Sequence, residues 1–293
     1  MALRPARRVI DLQIPMYTRR TFANLLAVSA LAAKPTPGGV TMGAQTYSLR
    51  DRDAGKAILA LKELKIDTVE MWSGHAEPFS GRVDREEVRK WRLSVPLSHF
   101  TDIRKKFNDN GITIHAYNYS FREDFTDPEI ARGFEFATAL GATVITASSN
   151  VSTAKKVDPF AKKAKIRVGM HNHSRIVANE FATPENFLAA MNGMSKYICI
   201  NLDIGHFTAA NFDAVDFLNK WHKRIVTLHI KDRRKNQGPN VVFGEGDTPI
   251  KATLQWLKTN KSQIPANIEY EYKGEDTLAE MKRCIEFMRK AVA

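Results

Sequence analysis

Cysteine is scarce in this chain of 293 residues, with only Cys199 and Cys284. Two cysteines cannot build a disulfide framework, and neither lies in a C-x-x-C pair, which excludes zinc-finger and thioredoxin-like sites. Both read as small buried apolar residues. Long hydrophobic runs are missing too. No stretch in the body reaches the roughly 18 apolar residues a membrane span needs. A glycine-rich phosphate turn is also lacking, since the segment after the first apolar run reads "QTYSLRDRDAGK" rather than G-x-G-x-x-G. Basic residues outnumber acidic ones by 12, yet no basic stripe is interleaved with aromatics, so nucleic acid is not an expected partner.

Part of that charge lies at the N-terminus. Residues 1–34 hold six Lys/Arg and one Asp, so +5 of the net +12 sits there. "MYTRRTFANLLAVSALAAKP" (16–35) has the parts of an export signal: Arg19 and Arg20, an apolar stretch, and Ala30-Leu31-Ala32 as an A-x-A cleavage site. Paired arginines before Thr-Phe resemble a twin-arginine signal, with Met16 as an alternative start. The expectation is a signal over 1–33, a linker over 34–39 and one domain over 40–293. It places the protein outside the cytoplasm, in the periplasm; an ordinary N-terminal helix would leave it cytoplasmic.

The remainder, 43% hydrophobic and 26% charged over the whole chain, is of ordinary globular composition. Short β-branched or apolar runs alternate with amphipathic stretches, the pattern of parallel strands joined by helices. Eight strands are expected, over 40–47, 68–72, 113–118, 143–148, 166–171, 197–203, 225–231 and 266–272. That number fits a (β/α)8 TIM barrel of about 250 residues. The clearest helices are 53–65, 276–292 and 183–194, the last with Thr183 as N-cap and Pro184 at its first position. Gly111 and Gly141 precede strands, where helix ends belong. An open doubly wound sheet is the alternative.

In such a barrel the active site gathers at the C-terminal ends of the strands. Those ends carry Glu70 and Trp72, His115 and Asn118, Ser148, then His171 and His173 of "GMHNHS". The later strands end in Asp203 and His206, in His229 with Lys231 and Asp232, and in Glu269 with Glu271. Imidazole and carboxylate ligands suit one divalent ion, Mn, Zn, Co, Fe or Mg, and the shortage of cysteine excludes thiolate sites. An ion with open positions polarises a carbonyl, and a nearby carboxylate moves a proton at the adjacent carbon.

Four short motifs, "NLDIGHF" (201–207), "LHIKD" (228–232), "FGEGD" (243–247) and "IEYEY" (268–272), resemble in order and spacing the xylose isomerase-like barrel superfamily of sugar isomerases and epimerases. The resemblance covers about residues 40–292. It implies a sugar substrate, free, phosphorylated or 3-keto, and a single divalent metal. Asp203 matches the strand-six ligand and His229 the strand-seven ligand. Glu269 resembles the strand-eight glutamate that also moves a proton, with Glu271 on the same face as its rival. His206 matches the histidine that contacts substrate oxygens. Lys231, Asp232 and Arg233 resemble groups around the substrate, as do Glu70, Trp72, Asn118 and His173. Glu180 resembles a second glutamate near strand five. The departure is His171, which stands where the ketose 3-epimerases carry a glutamate ligand. That replacement leaves Glu269 as a single base and brings a related lyase, dehydratase or keto-glycoside hydrolase into view. An endonuclease IV-like nuclease and a non-catalytic sugar-binding barrel are further alternatives, and either enzyme reading is compatible with a homo-oligomer.

Overall fold

Eight parallel strands close on themselves in a computed structural model that describes residues 38–79, 83–274 and 276–293. They are β1 Met42–Gln45, β2 Thr68–Trp72, β3 Thr113–Asn118, β4 Val144–Ala147, β5 Arg167–His171, β6 Ile198–Asp203, β7 Ile225–Ile230 and β8 Ala266–Ile268. The neighbours pair in sequence order, and β1 closes the ring on β8 with Met42 opposite Ala266. This is the TIM barrel that the alternation of elements predicts. The expected export signal lies outside the described residues. No helix among the described residues is long and apolar enough to cross a membrane.

Ten α-helices connect or flank the described strands: α1 Ala54–Glu63, α2 Arg85–Ser94, α3 Ser98–Asp109, α4 Asp127–Leu140, α5 Thr153–Ala164, α6 Pro184–Met191, α7 Ile204–Ala209, α8 Ala214–Trp221, α9 Ile250–Thr259 and α10 Thr277–Val292. Side chains set their starts. Asp53 caps α1, Asp276 caps α10, and Thr183 exchanges capping bonds with Asn186 at the start of α6. Gly141 ends α4 at φ 77°, the left-handed conformation that glycine adopts without strain.

Two strands, the first and the last, end well short of the sequence expectation, whereas the fifth ends where expected. The first strand stops at Gln45 and turns into a 3-10 segment, Thr46–Leu49. The fifth ends at His171, so His173 lies beyond it. The eighth ends at Ile268, which leaves Glu269 and Glu271 past the last paired residue. Glu269 nonetheless keeps register, because its N–H donates to the carbonyl of Ile230 at 3.0 Å.

Aromatic and aliphatic side chains fill the layer between barrel and helices. Phe100 of α3 stacks on Phe136 of α4 at 4.0 Å. Many buried polar residues line the strands: Glu70, Asn201, Thr227, His229 and Asn267 are all 0–1% exposed. Such burial is tolerable only with partners. Asn267 donates to Thr227 Oγ1 at 2.7 Å and also contacts His115. A bulge assists, since Glu70 pairs with Ala116 and skips His115.

Candidate metal centre

His171, Asp203, His229 and Glu269 come together at the C-terminal ends of β5, β6, β7 and β8. Their potential ligand atoms lie within 4.8 Å of one another, and all four residues are buried. The local sequence explains the alignment. Asn172 donates through Nδ2 to the carbonyl of Asp203 at 3.1 Å and accepts its N–H at 3.0 Å. Asn172 therefore clips the end of β5 to β6 and sets His171 and Asp203 abreast. Register sets the next pair, with Asp203 opposite His229.

His229 sits between two carboxylates, with Nδ1 2.9 Å from Glu269 Oε2 and Nε2 2.8 Å from Glu70 Oε2. Burial opposes charge on the ring, yet Glu269 and Glu70 raise its pKa well above the ordinary histidine value. Glu70, fully buried, is itself held by Thr146 Oγ1, which donates at 2.6 Å. Burial would raise the Glu269 carboxyl, but His229 and Lys231 hold it well below the usual range. Burial pushes Asp203 up to about 7. His171 is driven well below the ordinary value by burial and by the charge of His229, so it is a neutral imidazole, the form that ligates metal.

Lys231 reaches into the same space. Its Nζ lies 3.1 Å from Asp203, 2.9 Å from Glu269 and 2.5 Å from Glu271. Three carboxylates raise its pKa against the opposing effect of burial. Three acids, Asp203, Glu269 and Glu271, thus surround one ammonium, and Glu70 lies behind His229, a surplus of negative charge that a dication would balance. Asp203 Oδ2 makes no hydrogen bond and has only the charge of Lys231 beside it. Metal–ligand bonds of about 2.0–2.2 Å require the four donors to draw closer than they stand here. Two imidazoles and two carboxylates fit Mn, Zn, Co or Fe better than Mg, which prefers oxygen throughout.

Further out, His206 borders the cluster: its ring is 13% exposed and its Nε2 lies 3.1 Å from Lys231 Nζ. His173 is exposed at the rim, its ring 5.1 Å from that of His171 and 5.4 Å from that of His206. Trp72, half-buried, stands edge-on to Tyr47 and His75. Asn118 donates to Thr146 Oγ1 at 3.2 Å. Two sequence candidates are engaged elsewhere. Asp232 accepts the N–H groups of Gly244, Gly246 and Thr248, at 2.7, 3.0 and 3.2 Å, and so organises the "FGEGD" loop. Glu180 pairs with Arg175 at 3.2 Å and touches none of the four central residues. Asn201 escaped the sequence reading. Its Nδ2 lies 3.0 Å from His229 Nε2, and its place two residues before Asp203 on one strand face was the available signal.

A family model described as xylose isomerase-like TIM barrel matches residues 58–291. Among curated proteins none matches the chain. Solved structures resemble it at low identity. A sugar phosphate isomerase/epimerase from Parabacteroides distasonis ATCC 8503 is 20% identical, with TM-score 0.63 over 89% of this chain and 98% of that one. A D-tagatose 3-epimerase-like protein is 16% identical, with TM-score 0.65 over 86% and 98%. The probable 3-DHS dehydratase AsbF from Bacillus anthracis is 14% identical, with TM-score 0.64 over 84% and 98%. The fold, the order of the motifs and the family match agree: this chain belongs to the xylose isomerase-like TIM barrel family.

Proposed function

We propose that the protein is a divalent-metal-dependent sugar isomerase or epimerase that transfers a proton next to a sugar carbonyl. The observation that carries this reading is the buried His171–Asp203–His229–Glu269 set at the end of the barrel where substrates enter. A dication held there would polarise the carbonyl oxygen and lower the cost of the negative charge left when the adjacent C–H is lost. Glu269 is the carboxylate suited to move that proton. Glu70 and Asn201 orient His229, and Lys231 and His206 offer N–H donors to sugar oxygens. Trp72 and Tyr47 form a wall for the apolar face of the ring. The sugar is a keto- or aldo-sugar, free, phosphorylated or 3-keto.

One observation favours a second reading. Strand β5 ends in an imidazole, and Glu180 is paired with Arg175, so no second carboxylate from this side reaches the cluster. Inversion at carbon by two opposed bases lacks its partner. Isomerisation by a single base, or elimination as in the dehydratase among the structural relatives, needs only one.

Metal analysis followed by incubation of keto-sugars in D2O tests both. Deuterium uptake at carbon without loss of a group supports the isomerase; loss of a leaving group supports elimination. Absence of bound divalent ion, with His229→Ala leaving sugar binding intact, would overturn both readings.

A further inference from the structure

We infer that Arg233 fixes His206 as the neutral tautomer carrying its proton on Nε2, so that this N–H is a hydrogen-bond donor aimed at the substrate. Arg233 is then a positioning residue. The guanidinium is itself anchored. Its Nε and Nη2 donate to the carbonyl of Gly238 at 3.1 and 2.6 Å, and Nη1 donates to Ser174 Oγ at 2.8 Å. Nη1 also lies 2.7 Å from His206 Nδ1. Arginine has donors only and does not lose its proton in proteins. A contact this short requires a lone pair on Nδ1, and the bond made by one ring nitrogen decides which tautomer is present.

The other face of the ring poses a conflict. Nε2 lies 3.1 Å from Lys231 Nζ, which is also a donor without a lone pair. A neutral imidazole has one acceptor nitrogen and cannot satisfy both cations. The surroundings decide between them. Lys231 can turn its N–H bonds to Asp203, Glu269 and Glu271, all within 3.1 Å. Arg233 makes no ion pair among the described residues and is tied on both sides of its fork, so it keeps Nδ1. The histidine cannot turn away freely, because Asp203 Oδ1 accepts its main-chain N–H at 2.7 Å and the rings of His171 and His173 stand against it.

Nε2–H and the Lys231 ammonium therefore converge on one point. Glu271 Oε2 already approaches it, 2.5 Å from Nζ and 3.9 Å from Nε2. A substrate oxygen that displaced the Glu271 carboxylate from this point would receive two donors, one charged and one neutral. A neutral donor stabilises developing negative charge without surrendering its proton beforehand. That an oxygen of a sugar takes this place rests on the proposed function; the tautomer does not.

The test is a long-range 1H–15N correlation spectrum of the full chain with 15N-labelled histidine, with His206 assigned from the signals lost in His206→Gln. The expected pattern for His206 is a bare Nδ1 and a protonated Nε2, replaced by the opposite or a mixed pattern in Arg233→Met. A proton on Nδ1 in the unsubstituted protein, or an unchanged pattern in Arg233→Met, overturns the inference. The solvent-exchange assay adds a second readout. His206→Gln keeps an amide donor near the position of Nε2, whereas His206→Asn places one near Nδ1. The glutamine variant should exchange at least about ten-fold faster; equal rates, or a faster asparagine variant, count against it. The predicted tautomer in a protein that exchanges no sugar proton would retain the Arg233 assignment and reject the sugar reading.

Discussion

His229 shows how one residue couples charge to ligand binding. Glu70 and Glu269 hold its two nitrogens at 2.8 and 2.9 Å, and both raise its affinity for a second proton. A ring with two protons has no lone pair for a metal, so an ion that takes either nitrogen must displace a proton. The raised pKa makes that displacement costlier than for an ordinary histidine. Ion affinity should therefore fall as pH falls, with proton release visible by calorimetry in buffers of different ionisation enthalpy. Glu70→Gln should diminish the proton release and, as an outer partner of a ligand, weaken ion affinity by about 10–100-fold at pH 8. Affinity that is flat between pH 6 and 8, with no proton release, would sink this account. Asp203, His206 and His229 were legible because polar residues at the ends of apolar strands stand out. Asn201 and Thr146 were not, because their roles depend on which neighbours the register supplies.

At the scale of elements, α2 is held in an unusual way. None of its residues is fully buried, and Trp91, edge-on to Phe79 and Phe100, is its main apolar contact with the core. Three of its arginines converge on Glu129 of α4, which is fully buried: Arg85 at 2.6 Å, Arg89 at 3.2 Å and Arg92 at 3.5 Å. Arg85 also lies over the ring of Phe125, and Arg92 over Tyr119, both at 4.5 Å. Removing this buried carboxylate takes away the charge the three share, leaving Arg92 with Glu77 and leaving Arg85 and Arg89 with the more exposed Asp124. Glu129→Gln should cost roughly 3 kcal/mol, read from urea unfolding. Hydrogen exchange should accelerate over residues 85–94 before the barrel strands respond; uniform protection would argue that other contacts hold the helix. Element type was readable from periodicity, and α1, α6 and α10 start at the capping residues their sequences advertise. Strand limits were less readable, since Gln45 and Ile268 end their strands where pairing stops, short of the expected 47 and 272. The shape of the "FGEGD" loop was not readable either, because it depends on a partner outside the motif. Its glycines serve Asp232, and a Cβ on Gly246 would lie 2.0 Å from Asp232 Oδ1.

The whole molecule is needed to assemble the centre, because its groups come from residues 70, 171, 203, 229 and 269 on five strands. The sequence revealed how many strands there are and which polar residues end them. It did not reveal that Glu70 of β2 would meet His229 of β7, a contact that exists only once the sheet has closed. Closure also crowds three carboxylates around Lys231 and a fourth, Glu70, against His229, a repulsion that unfolding relieves. A dication that binds only the closed barrel should then stabilise the entire fold. Ion at a hundred times its dissociation constant contributes about 2.7 kcal/mol, equivalent to a rise in Tm of roughly 5–10 °C for a domain of this size. The two cysteines give an independent measure. Cys199 lies on β6 and Cys284 on α10, both buried, and burial pushes the Cys284 thiol up to about 12. At pH 8 its thiolate is scarce, roughly one part in ten thousand, so labelling by a maleimide should wait for opening of the barrel. Saturating ion should slow that labelling and raise Tm together, and EDTA should reverse both. A Tm and labelling rate indifferent to ion and chelator would show that the four ligands do not bind one at useful affinity.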